Sequence, residues 1–92
     1  MKTVLKMNER ALKTLIEAGA VKRLHIIADS SHFYVEVETP AGKMTASTLK
    51  GAIKTWATLD ATAKWVRKLG IGKTTLDLSR WQPGQRSLTL ES

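Results

Sequence analysis

Gly70-Ile71-Gly72-Lys73-Thr74-Thr75 contains the Gly-Lys-Thr triplet that closes the phosphate-binding loop of P-loop NTPases. That loop needs a glycine five residues before Gly72, where this chain has Arg67, and it needs strand, loop and helix in that order. Here a helical pattern leads and a strand pattern follows, so the stretch predicts a glycine-rich helix end with no nucleotide hydrolysis. Ser47-Thr48-Leu49-Lys50 satisfies the Ser-x-x-Lys pattern of penicillin-recognising enzymes, but their two further motifs are missing. His25 and His32 would need a third converging N, O or S ligand to hold a metal, and Asp29, nearby in sequence, falls in an expected hairpin loop that rarely makes such a site. No metal, cofactor or catalytic residue is therefore assigned, and binding, not catalysis, is the expected activity.

What must position any functional residue is one small domain, since 92 residues that are 42% hydrophobic fill a single core. The chain has no cysteine, which excludes disulfides and thiolate zinc sites and makes the cytoplasm the expected compartment. Apolar runs such as 24–28 are far shorter than the ~20 residues that span a bilayer. Lys6 and Asn8 interrupt the N-terminal segment before the apolar region of a signal peptide forms. Fifteen Lys and Arg against eight Asp and Glu give a net charge of +7, which suits an anionic partner and also serves solubility.

A short strand over 2–7 opens the expected order of elements. Asn8 then has the side chain of an N-cap, Glu9 suits the positive end of a helix dipole, and Leu12, Leu15 and Ile16 make one apolar stripe before Gly19. This predicts a helix over 9–18. A β-branched run over 21–28 leads into the turn formers Asp29-Ser30-Ser31, after which Phe33, Val35 and Val37 alternate with Tyr34, Glu36 and Glu38. Further strands over 44–48 and 52–56, separated by Pro40-Ala41-Gly42 and Lys50-Gly51 turns, complete a β-meander. Thr58 caps a second helix over 59–69, with Leu59, Ala63, Val66 and Leu69 as its apolar stripe and Gly70 just beyond. A last strand over 73–78 is followed by a tail, so the domain is set at 1–79 and the tail at 80–92. The expected fold class is α+β in two layers: a small, mostly antiparallel sheet with both helices packed on one face.

Three tryptophans are a large aromatic content beside one Phe and one Tyr. Core packing is their ordinary role. Trp65, however, falls off the Leu59-Ala63-Val66 stripe, and Trp81 lies in the expected tail beside Arg80. Trp65, Trp81 and Arg80 are therefore the candidate partner-binding residues. Lys50, Lys54, Lys64, Arg67 and Lys68 are the candidates for nucleic-acid phosphates, although no helix-turn-helix pair argues for base readout.

Four stretches, Glu17-Ala18-Gly19-Ala20-Val21-Lys22, Leu24-His25-Ile26-Ile27, Leu59-Asp60-Ala61-Thr62-Ala63-Lys64-Trp65-Val66-Arg67-Lys68-Leu69-Gly70-Ile71-Gly72 and Asp77-Leu78-Ser79-Arg80-Trp81-Gln82-Pro83, resemble the ParC-type partition-associated proteins of bacterial plasmids and integrating elements. The likeness runs nearly end to end, and its motifs are packing and corner signatures. The resemblance implies a part in plasmid maintenance beside a ParA-like ATPase and a DNA-binding partner, and it carries over no active-site residues. A non-enzymatic adaptor of plasmid partition or stability is the expected function. The alternatives are direct, sequence-nonspecific DNA binding and an element-encoded inhibitor of a host enzyme, and a homodimer is open for each.

Overall fold

The computed structural model describes residues 5–82. Its elements run β1 (Lys6–Asn8), α1 (Glu9–Glu17), β2 (Arg23–Ser30), β3 (His32–Thr39), β4 (Gly42–Ser47), α2 (Leu59–Lys68) and β5 (Thr75–Trp81). Both helices begin where the sequence places a cap: the Asn8 side chain accepts from the Ala11 amide at 3.0 Å, and the Thr58 hydroxyl accepts from the Ala61 amide at 3.1 Å. Both end at glycines in the left-handed region, Gly19 at φ 72° and Gly70 at φ 100°, a conformation that a Cβ would oppose.

The five strands form one sheet in the order β1-β4-β3-β2-β5. β2, β3 and β4 are an antiparallel meander, but β1 pairs parallel with β4 and β5 pairs parallel with β2. The α+β class holds, and the sheet is mixed where a mostly antiparallel one was expected. The expected strand over 52–56 is not one. Its backbone makes two isolated bridges, Ser47 with Ile53 and Phe33 with Trp56, and so fills the gap where the ends of β3 and β4 diverge. β4 cannot take a further meander strand on its outer side, because β1 occupies that edge through Lys6–Thr45, Met7–Ala46 and Asn8–Ser47.

One face of the sheet carries the core. Leu24, Ile26, Ala28, Phe33, Val35, Val37 and Ala46 meet Leu12 of α1 and Trp65, Val66 and Leu69 from the α2 side in one cluster, with Ile16 packed against it. Phe33, Val35 and Val37 thus face the layer that both helices form, as their alternation predicts. Val66 and Leu69 of the expected α2 stripe are buried, but Thr62 and Trp65 join them in place of Leu59 and Ala63, which are exposed. Thr62 can be fully buried because its hydroxyl donates to the Thr58 carbonyl at 2.8 Å.

Candidate protein-binding edge

β5 lies at the end of the sheet, with β2 as its neighbour, and every residue along it is exposed. Natural edge strands are usually protected by charge, proline, a bulge or a covering segment. β5 carries Asp77, Arg80 and a register shift opposite Ile27 and Asp29, but it also presents Leu76, Leu78 and Trp81, which stay 41%, 45% and 39% exposed. The strand runs three residues past the expected 73–78. Arg80 and Trp81 are thereby part of the sheet, paired with Asp29 and Ser30, so the 79/80 boundary falls inside a strand.

Each candidate on this edge is held from the sheet beneath it. Nη2 of Arg80 donates to the Tyr34 hydroxyl at 2.9 Å and lies 3.4 Å from the Asp29 carboxylate. Those two contacts, the hydroxyl first, raise the Arg80 pKa above its ordinary value. The Trp81 ring leans on Phe33 with 6.0 Å between centroids and 51° between planes, and the residue stays partly exposed. The Gln82 amide closes the strand by donating to the Ser30 carbonyl at 2.7 Å.

Beside the edge, the sheet face away from the helices is ordered by cross-strand rows. The register sets Glu38 between Arg23 and Lys43, Asp29 between His32 and Arg80, and Ile27 between Tyr34 and Asp77. Across these rows His25 ties three strands together. Its Nε2 is 2.6 Å from Glu38 Oε2, and its Nδ1 is hydrogen-bonded to the Thr75 hydroxyl of β5. Hydroxyl, imidazole and carboxylate in this order are also the parts of a nucleophilic triad. A triad works best closed to bulk water, and Thr75 stands on a strand open along its whole length, so the row reads as a clamp holding β5 to β2 and β3.

The hydrogen bond from His25, ahead of the nearby cations, holds the Glu38 pKa below its ordinary 4.5. Asp77 is held below 3.8 by the Ser79 hydroxyl and amide. A carboxylate with a depressed folded pKa stabilises the fold above its unfolded pKa, and that contribution is lost as pH falls through the folded value. Melting temperature is therefore expected to drop as pH falls below about 4.5, and Glu38→Gln is expected to shallow that drop. An unchanged acid limb in the variant would remove Glu38 from the account.

The other candidates separate. Trp65 is no surface residue: it is 8% exposed, its Nε1 donates to Glu9 at 3.0 Å, and its ring meets Trp56 at 4.9 Å. The sequence placed it off the core because the helix stripe was read one residue out of phase. Lys50 and Lys54 border α1, with Lys54 Nζ 5.4 Å over the Trp56 ring. Lys64 pairs with Asp60 at 3.1 Å in an i,i+4 contact open to water, while Arg67 and Lys68 are exposed in the last turn of α2. Sequence reasoning missed Leu76 and Leu78, whose alternation across Asp77 was a strand signal without a side assigned, and it missed the His25 clamp, which requires the strand order to be known.

Among the described residues no helix is long and apolar enough to cross a membrane, and no group of three metal-ligating side chains is gathered. No family model, curated protein or solved structure matches the chain. The resemblance to the ParC-type proteins rests on its quoted residues alone.

Proposed function

We propose that the chain is a non-catalytic adaptor that docks a partner protein along β5, with Trp81 and Arg80 as anchors and Leu76 and Leu78 as the apolar ground between. The observation that carries this is an edge strand exposed along its length that nonetheless spends Leu76, Leu78 and Trp81 on solvent. Such an edge offers main-chain hydrogen bonds to an added strand and alternate side chains to its specificity. The partner we propose, on the ParC-type resemblance, is a plasmid-partition protein, either a ParA-like ATPase or its DNA-binding companion.

Trp81→Ala is expected to weaken the complex with that partner by about 2 kcal/mol or more, some thirtyfold in Kd, while the domain keeps a cooperative melt. Titration calorimetry against the ParA-like protein and its DNA-binding companion reads this directly. Wild-type affinity in the folded variant would reject β5 as the docking edge.

A further inference from the structure

Charge is not spread evenly over the two faces of the domain. On the open sheet face four carboxylates, Asp29, Glu36, Glu38 and Asp77, share their rows or neighbourhood with four cations, Lys6, Arg23, Lys43 and Arg80. The helical side is different. α1, α2 and the 48–58 segment between β4 and α2 carry seven cations against three carboxylates, Glu9, Glu17 and Asp60. Two of those three are engaged, Glu9 with the Trp65 indole and Asp60 with Lys64.

The excess is concentrated where the surface is concave. Two adjoining depressions share Asn8, Glu9 and Leu49 and so make one groove between the start of α1 and the segment after β4. Arg10 and Lys13 line one part of it and Lys50 and Lys54 another. The N-terminal amides of α1 add to the same positive field. Cations from separate segments along a groove suit a repeating chain of charge, whereas a protein hot spot is built on aromatic anchors, and Trp56 and Trp65 are turned into the core side here.

We infer that the groove between the start of α1 and the 48–54 segment binds the phosphate backbone of a nucleic acid, through Arg10, Lys13, Lys50 and Lys54. It is a second surface, separate from β5, and loss of one reading leaves the other standing. Binding there is sequence-independent, because phosphates carry no base information.

The test is the salt dependence of binding to a short fluorescent DNA duplex of random sequence, followed by anisotropy. Four phosphate contacts release counterions with a log–log slope of about −3.6, or about −0.9 per contact. Lys13→Gln with Lys50→Gln should flatten it by about 1.8, and Arg10→Gln with Lys13→Gln, which leaves the other wall intact, should do the same. Lys6→Gln with Lys43→Gln removes equal charge from the open sheet face and should leave the slope unchanged. All of these residues are exposed, and matching melts certify that a loss is one of binding. Equal flattening in the control pair would reduce the effect to net charge and overturn the groove. So would absence of salt-dependent binding, or displacement of the DNA by polyglutamate of equal charge, which would make the surface one for acidic proteins.

Discussion

Val35→Asp is expected to leave the chain largely unfolded at neutral pH. Val35 is fully buried in the middle of the central strand, opposite Ile26 and beneath both helices. A carboxylate there has no partner and no water, and such a buried charge costs several kcal/mol before any lost packing is counted. A domain of this size has only about 5–14 kcal/mol to lose. Far-ultraviolet circular dichroism and urea titration decide the matter. Val35→Ala, which removes methyl groups without adding charge, should remain folded with a midpoint lowered by about 2 kcal/mol of stability. A Val35→Asp protein that melts with wild type would mean that the β2–β3 register, and with it the assignment of faces, is wrong.

Trp65→Ala should be nearly as damaging, by about 3–5 kcal/mol. The indole fills the space between α2, the Trp56 ring and the start of α1, and its N–H is taken up by Glu9. Trp65→Phe keeps the six-membered part of the buried ring and removes the hydrogen bond with the rest of the indole, so the lost bond should cost about 1–2 kcal/mol beyond the loss of volume, still less than Trp65→Ala. Thermal melts of the two variants read this order. If Trp65→Ala leaves the melt untouched and abolishes a partner complex instead, Trp65 belongs to an interface and not to the core.

How much could be read from the residues depended on whether the determining interactions were local. Asn8, Thr58, Gly19 and Gly70 set both helix ends through contacts within four residues, and the alternation from Phe33 to Val37 reveals a strand buried on one side. The phase of α2 was less visible. Leu59 and Ala63 look apolar but face out, while Thr62 and Trp65 look polar or amphipathic and turn in because Thr58 and Glu9 satisfy them. The Glu9 partner is 56 residues away, beyond any window of periodicity. The parallel pairings of β1 and β5 are equally non-local, and without them 52–56 reads as a fourth meander strand when it fills a gap instead. Of the candidate binding residues, Arg80 and Trp81 were found by type, but their surroundings of Leu76, Leu78 and the His25 clamp appear only once β5 is set beside β2.

That placement also orders the sheet in time. The meander of β2, β3 and β4 closes through two tight turns, whereas β5 must return across 50 residues to set Thr75 beside His25. Pairings of such separation form late, after the local ones have lowered the cost of closing the loop. A strand joined so late and exposed along its length is able to detach without the rest. Amide hydrogens of β5 should therefore exchange with solvent through a partial opening, while those shared by β2 and β3 wait for global unfolding. When β5 lifts away, the edge of β2 is bared in its place, so the domain holds a second, hidden template for strand pairing beneath the first.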